Sequence, residues 1–163
     1  MMDTNAFDFI YDNNLIGFVN KLVTAEQIEL YVTHVQLDEI EKISNEEKRE
    51  KIKTVYYTPV VASVGFVGTS DSTSRGYVGA RTDAFIAVNE EDNEIVNKVK
   101  RNLTKTHPLG NAADITISFT AFKKNVDYLV SNDTGIHNVL KEFTSKVEGI
   151  TNDEFNTILQ NII

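Results

Sequence analysis

The chain has 163 residues, of which 41% are hydrophobic and 25% charged, with only 2 prolines, and this composition excludes a disordered or low-complexity protein. Because it contains no cysteine, it can form neither disulfides nor thiolate metal sites, so any metal would bind to oxygen or imidazole. The formal net charge of -8 argues against binding nucleic acid through phosphate neutralisation alone.

The first third of the chain predicts helices around one strand. Apolar residues recur at helical spacing over residues 4–12 and 14–23, and the apolar run 28–33 predicts a short buried strand. Residues 34–43 return to helical spacing. The first residues carry acids where a signal peptide would carry lysine or arginine, and no apolar run approaches about 18 residues. We therefore expect a cytoplasmic protein without a membrane segment.

The middle of the chain predicts a further helix, a β-rich run and a long loop. Ser44 and Glu47 form a capping-box pattern at the start of the helix. Apolar residues after Pro59 predict strand structure, and half of the 8 glycines fall in or beside a polar stretch near 65–81. We interpret this stretch as an insertion that serves as a lid, a dimer contact or a partner-binding arm. Residues 90–101 predict another helix, with acids at its start and bases at its end.

The last third alternates helices and strands. Residues 111–125 place apolar side chains along one helical stripe, and the apolar run 126–131 predicts a strand. A helix over 135–143, a short strand over 146–150 and a capped terminal helix follow. Strands that alternate with helices predict a single α/β domain over 1–163, with a central, mostly parallel sheet between two helical layers.

Four acids occupy positions where such a fold would gather ligands. They are Asp3 at the chain start, Glu39 within a predicted helix, Asp114 at the opening of a late helix and Asp133 after a late strand. In an open parallel sheet, ligands bind at the carboxyl ends of the strands, where distant segments meet. Only two residues precede Asp3, so a first strand there would be short. Carboxylates are hard oxygen ligands, and the pattern predicts a site for a divalent cation.

The same positions carry a resemblance to a known family. The opening DTN with Asp3, the helical LDEIEKI with Glu39, the segment NAADITISFTA with Asp114 and the strand-plus-acid LVSND with Asp133 resemble, in order, the four motifs of PIN-domain nucleases. The match covers nearly the whole chain. It implies a three-layer α/β/α domain that uses magnesium or manganese to cleave RNA, often as the toxin of a toxin–antitoxin pair.

The resemblance also implies roles for individual residues. By this resemblance, one or two metal ions would be held, and catalysis carried out, by four acids: Asp3, Glu39, Asp114 and Asp133. Asn5, together with Ser131 or Thr134, would orient these carboxylates through hydrogen bonds. Hydrolysis of the RNA phosphodiester would then leave a 5′-phosphate and a 3′-hydroxyl. No protein nucleophile is needed in this chemistry, because the metal activates the attacking water.

Each acid also has a purely structural interpretation. Asp3, Asp114 and Asp133 could cap the helices that follow them. Glu39 could be a solvated helix residue paired with Lys42. The main alternative function is therefore a catalytically inactive PIN-like protein-interaction module, in which the acids persist as caps. A haloacid-dehalogenase-like phosphatase is disfavoured, because it requires a second aspartate two residues after the first.

The expected partners follow from the basic runs and from the resemblance. Residues 48–53 and 98–105 carry lysine and arginine that could follow RNA phosphates, although such runs are more often solvated helix surface. An antitoxin would cover an apolar groove and direct a basic side chain toward the acids. RNA and an antitoxin are thus the expected partners, alongside a second copy of the chain in a homodimer, with no membrane association.

Overall fold

The computed structural model describes residues 1–58, 60–61, 64–65, 85–86, 112–142 and 146–162. In chain order the elements are α1 (Thr4–Asp12), α2 (Ile16–Thr24), β1 (Tyr31–Val32), α3 (His34–Ile40), α4 (Glu46–Tyr57), β2 (Val60–Val61), β3 (Val64–Gly65), β4 (Phe85–Ile86), α5 (Ala112–Lys124), β5 (Tyr128–Val130), α6 (Thr134–Glu142), β6 (Glu148–Ile150) and α7 (Asn152–Asn161). The protein is a mixed, helix-rich α/β structure. The helix predicted over 90–101 and nearly all of the insertion predicted near 65–81 lie outside the described residues.

The strands pair in parallel, β1 with β2, β3 with β4 and β5 with β6. Met2 forms a parallel bridge to Val130 of β5, and its amide donates to the carbonyl of Tyr31 in β1 at 3.3 Å. Residues 1–3 therefore lie between β1 and β5. The segment expected to be a short first strand is a single bridge, flanked by a 2.9 Å hydrogen bond from the Asp3 amide to the Val130 carbonyl. Parallel pairing brings the carboxyl ends of β5 and β6 to one edge.

Two hydrophobic clusters form the core. One contains residues of α1, α2, α4 and α7, including Phe7 and Leu159. The other contains residues of α5 and α6, including Ile117. β5 supplies Leu129 to the second cluster and Val130 to the first, as expected for a strand whose successive side chains point to opposite faces. Burial on both faces fixes the strand firmly, and its carboxyl end carries the polar residues described below.

Side-chain caps set the start of several helices. The predicted capping box of the terminal helix is confirmed, because Thr151 and Glu154 exchange the expected hydrogen bonds at the start of α7. The capping box predicted at Ser44 is wrong. Asn45 caps α4 instead, accepting a hydrogen bond from the Lys48 amide at 3.0 Å. Asparagine and serine are about equally good caps, so the sequence pattern could not fix this register.

The predicted strands are found where they were expected, but they are shorter. The runs 28–33, 126–131 and 146–150 contain β1, β5 and β6, which have two, three and three residues. The second predicted helix begins at Ile16 rather than at residue 14, because Asn14 adopts a positive φ of 57° that ends the preceding turn. Among the helices described, none is both long and apolar enough to cross a bilayer.

Candidate active site

The four predicted acids lie within electrostatic reach of one another. Asp3 follows the bridge at residue 2, Asp133 precedes α6, Asp114 lies in the first turn of α5, and Glu39 belongs to α3. Burial, followed by the negative charges of the other three acids, raises the pKa of the Asp114 carboxyl from 3.8 to about 7. Folding therefore brings distant acids into one crowded, partly desolvated region, where a carboxylate is harder to ionise than in water.

Asp3 is the most closely held of these acids. It is buried and accepts hydrogen bonds from the Thr4 amide at 2.7 Å, the Ser131 hydroxyl at 2.7 Å and the Asn5 side-chain amide at 2.5 Å. Burial raises the pKa of Asp3, with smaller contributions from the charges of two other acids, whereas the hydrogen bonds from Ser131 and Thr4 lower it. These donors fix the orientation of the Asp3 carboxylate.

Asp133 is held by the turn that starts α6. Its side chain accepts a hydrogen bond from the Gly135 amide at 2.6 Å, and its own amide donates to the Ser131 hydroxyl at 3.0 Å. The structural interpretation is therefore right in part, because Asp133 caps α6 and Asp3 caps α1. Asp114 is placed differently, because it lies inside the first turn of α5.

Glu39 is tied to the same region by a residue that the sequence reasoning did not select. The Thr4 hydroxyl donates a short hydrogen bond to a Glu39 carboxylate oxygen. Among the ion pairs of the described residues, none joins Glu39 to Lys42, the partner that the alternative interpretation assigned to it. The signal for Thr4 was present in the sequence, since it stands between Asp3 and Asn5 in the first motif.

Of the residues predicted to orient the carboxylates, Asn5 and Ser131 contact Asp3 directly. Ser131 is fully buried, and its hydroxyl lies between the Asp3 carboxylate and the Asp133 amide. Thr134, the other candidate, is exposed at the first residue of α6. A neutral hydroxyl shared in this way links two of the four acids without adding charge.

The coordination geometry is not assembled in advance. Over the described ranges, no group of three or more His, Cys, Asp or Glu side chains is close enough together to hold a metal ion. The chemistry of these side chains nevertheless suits a divalent cation. Carboxylate oxygens are hard ligands, and the negative charges of the other three acids oppose the ionisation of Asp114. A cation at this place would require the carboxylates to draw closer together.

The basic run of α4 is engaged in ion pairs with neighbouring acids. The short pairs are Lys48–Asp8 at 2.7 Å, Lys51–Glu47 at 2.7 Å and Lys53–Glu41 at 2.8 Å. These contacts neutralise part of the charge that could have followed RNA phosphates, and they favour the solvated-surface interpretation. The run over 98–105 lies outside the described residues.

A groove lined by both apolar and polar residues lies at the amino ends of β1 and β5. Its volume is about 350 Å³. The side chains that line it include Ile28, Tyr31, Val126, Tyr128, Phe155 and Ile158. Gln27, Glu29, Lys124 and Asp127 also line it, so its surface is mixed in polarity.

Comparison of the chain with known proteins found no match. No protein-family model matches it, and no curated protein or solved structure is significantly similar to it. The resemblance to PIN-domain nucleases therefore rests on the four short motifs of this sequence alone.

Proposed function

We propose that this protein is a divalent-metal-dependent endoribonuclease with a PIN-like fold. The observation that carries the proposal is the convergence of acids from distant segments: Ser131 is hydrogen-bonded to both Asp3 and Asp133, and Thr4, next to Asp3, is hydrogen-bonded to Glu39. Burial and the charges of these three acids raise the pKa of Asp114 to about 7. Because Asp114 is partly buried and lies near three other acids, its ionisation in the folded protein is unfavourable without a cation. Ionisable groups with pKa values shifted this far are concentrated at functional sites.

The arrangement of the strands supports the architectural part of the proposal. Hydrogen bonds connect β2, β1, residues 1–3, β5 and β6 in that order; β1–β2 and β5–β6 are parallel pairs, and Met2–Val130 is a parallel bridge. Apolar clusters on both faces of β5 are what a three-layer α/β/α domain requires. In such a domain, the crevice at the carboxyl ends of the strands is the expected ligand site.

The chain's own residues supply a framework for the reaction. Asp3, Asp114, Asp133 and Glu39 would hold Mg²⁺ or Mn²⁺, which when bound lowers the pKa of a water molecule and offsets charge on the phosphate. Ser131 and Asn5 fix the Asp3 carboxylate, and Thr4 fixes that of Glu39. Because the bases of α4 are paired with acids, the proposal assigns phosphate recognition mainly to the cation site.

A role as the toxin of a toxin–antitoxin pair is the more specific form of this proposal, and it rests on the resemblance alone. An antitoxin would then place a basic side chain against the acids. Coexpression with a cationic, otherwise apolar inhibitor segment should relieve growth arrest caused by the wild-type chain. Expression that never slows growth would contradict the toxin form while leaving the nuclease proposal to the test below.

One set of observations favours the alternative, a catalytically inactive PIN-like interaction module. Asp3 and Asp133 both cap helices, which gives each a reason to be present without catalysis. In addition, within the part of the chain that the structure describes, no three acidic or histidine side chains are close enough to hold an ion. The two functions differ in one consequence, which is metal-dependent cleavage.

The test is cleavage of a random-sequence single-stranded RNA pool in Mn²⁺ or Mg²⁺, with a parallel reaction in EDTA. We expect cleavage by the wild-type protein, none in EDTA, and none by Asp114→Asn or Asp133→Asn. Asp127→Asn is the matched control, because Asp127 is an exposed acid at the other end of β5. Cleavage that survives EDTA, or variants as active as the wild type, would refute the site; a wild type that cleaves nothing would favour the interaction module.

A further inference from the structure

Three asparagines from distant segments meet beside the acids, and we call them the asparagine triad: Asn5 in α1, Asn132 after β5 and Asn152 at the first residue of α7. The Asn152 amide donates to the Asn132 side-chain oxygen at 3.0 Å. The Asn132 amide donates to the Asn5 side-chain oxygen at 3.1 Å. The side-chain amide of Asn152 donates to both the carbonyl and the side-chain oxygen of Asn5, at 3.4 Å each.

Asn5 connects the triad to the Asp3 carboxylate. Its side-chain nitrogen donates to Asp3 at 2.5 Å and to the Ser131 hydroxyl at 3.2 Å. A primary amide has one donor end and one acceptor end, so its nitrogen can face Asp3 only while its oxygen faces donors. Asn132 and Asn152 supply those donors. The hydrogen bonds that the Asn5 oxygen accepts from Asn132 and Asn152 therefore keep its nitrogen directed toward Asp3.

The side chain of Asn152 is held in one orientation, although this leaves its buried oxygen without a hydrogen bond. The residue is 3% exposed, and its side-chain oxygen has no hydrogen-bond partner. Exchanging its oxygen and nitrogen would place that oxygen against the two oxygens of Asn5, so the nitrogen must face Asn5. An apolar side chain would avoid a buried, unpaired acceptor. Asparagine at this position is therefore better explained by the hydrogen bonds to Asn5 than by packing.

We propose that Asn152 is a positioning residue, which fixes the Asp3 carboxylate for metal binding by way of the Asn5 amide. This inference rests on the proposed nuclease function and adds to it a residue that touches neither metal nor substrate. It also ties the start of α7 to the acid site. Residues that orient metal ligands through hydrogen bonds typically change metal affinity or activity by about 10- to 100-fold when removed.

The first test compares Asn152→Ala with Asn156→Ala. Asn156 is a matched control, because it lies one turn further along α7 and also has a buried side-chain oxygen without a partner, while none of the described side-chain hydrogen bonds joins it to the triad. We expect Asn152→Ala to weaken Mn²⁺ binding about tenfold by calorimetry and to lower kcat about tenfold, with KM for RNA unchanged. Asn156→Ala should match the wild type. Equal losses in both variants would overturn the inference.

A double-mutant cycle asks whether Asn152 acts through Asn5. In an Asn5→Ala background, Asn152→Ala should reduce Mn²⁺ affinity by less than about twofold, because the intermediate is already gone. A full tenfold reduction in both backgrounds would show that Asn152 acts by another route. If Asn152→Ala fails to fold, Asn152→Asp is the second variant, since it keeps the shape and replaces the donor to Asn5 with an acceptor.

A metal-free measurement separates failure of this inference from failure of the proposed function. In the wild type, the two side-chain amide protons of Asn5 should give distinct, well-dispersed NMR signals, and in Asn152→Ala these should broaden or move toward solvent-exposed values. Unchanged Asn5 signals would overturn the positioning role even if the enzyme is active. A wild type that neither binds Mn²⁺ nor cleaves RNA would refute the function, and with it the catalytic meaning of Asn152.

Discussion

The two ends of the parallel strands differ sharply in chemistry, although both belong to the same small framework. At the carboxyl ends, Asp3, Ser131 and Asp133 share hydrogen bonds, and nearby charges raise the pKa of Asp114. At the amino ends, apolar and polar side chains together line a groove of about 350 Å³. Open volume alone would direct attention to the groove. The acids and the raised pKa of Asp114 are at the other end, and we therefore place the candidate active site there.

β5 makes the comparison testable, because it runs from one end to the other. Tyr128 lines the groove and is 40% exposed, Leu129 is fully buried in the core, and Ser131 follows the strand at the acid site. Changes at neighbouring positions should therefore have separate consequences. Cleavage of RNA should depend on residues at the carboxyl end of β5, and stability should depend on Leu129 at its centre. Neither should depend strongly on the exposed Tyr128.

The largest expected effect is on cleavage. Asp133→Asn should lower kcat/KM for RNA roughly 10³-fold, because loss of a metal ligand removes several kcal/mol of transition-state stabilisation. Asp127→Asn, at the amino end of the same strand, should stay within about twofold of the wild type. Comparable losses of kcat/KM in the two variants would contradict the placement of the active site at the carboxyl ends of the strands.

The next effect is on the core between the two ends. Leu129→Ala should reduce the free energy of unfolding by about 2–5 kcal/mol, since it removes a fully buried side chain and leaves a cavity. Tyr128→Ala should cost less than about 1 kcal/mol, because the ring is partly exposed. Urea denaturation of both variants measures the difference. Equal losses would mean that the groove end contributes as much to stability as the core.

A smaller effect concerns pH. The folded-state pKa of Asp114, about 7, exceeds its ordinary value of 3.8, so the folded protein retains a proton that the unfolded chain releases. The stability associated with this group is complete near pH 4 and is lost as the pH rises through about 7. Without metal, Asp114→Asn should therefore resemble the wild type near pH 4 and be more stable at pH 8, on the order of 1–2 kcal/mol after solvent screening.

Thermal unfolding in EDTA at the two pH values measures this difference, and Asp127→Asn again serves as the control. Addition of Mn²⁺ should then stabilise the wild type more than Asp114→Asn, because only a folded site with all its ligands binds the ion well. A variant that is less stable than the wild type at pH 8 would contradict the raised pKa of Asp114.

The smallest expected effect is at α4, outside both ends. Lys51 and Glu47 form an exposed ion pair four residues apart at 2.7 Å. Lys51→Ala should leave the urea midpoint of unfolding close to that of the wild type and cleavage within about twofold of it. A large fall in RNA affinity would instead show that the basic run contacts phosphate, and would restore the interpretation that the ion pairs disfavour.

Most helices of the described residues could be predicted from sequence, because local signals determine them. The amphipathic runs that became α1, α5 and α7 carry their own apolar spacing, and Thr151 supplies the cap of α7. Strand length could not be predicted in the same way. β1 has two residues where the apolar run suggested six, since a strand extends only as far as its partner does, and that depends on distant residues.

In the candidate site, too, some residues could be predicted from local sequence and others could not. Asp3, Asn5 and Ser131 stand in short motifs and could be selected from sequence, and Asp3 and Ser131 are indeed hydrogen-bonded partners. Asn152 carries no local signal, because its contacts are to residues far away in the chain. The raised pKa of Asp114 was equally hidden, as burial and neighbouring charge arise only from the tertiary fold.

Calorimetric titration of Mn²⁺ into the metal-free protein is the most direct measurement of the central claim that the four acids form a single cation site. The account predicts that the wild type binds Mn²⁺, that Asp114→Asn binds it at least about tenfold more weakly, and that Asp127→Asn binds it as the wild type does. No binding by the wild type, or equal affinity in the wild type and Asp114→Asn, would contradict it.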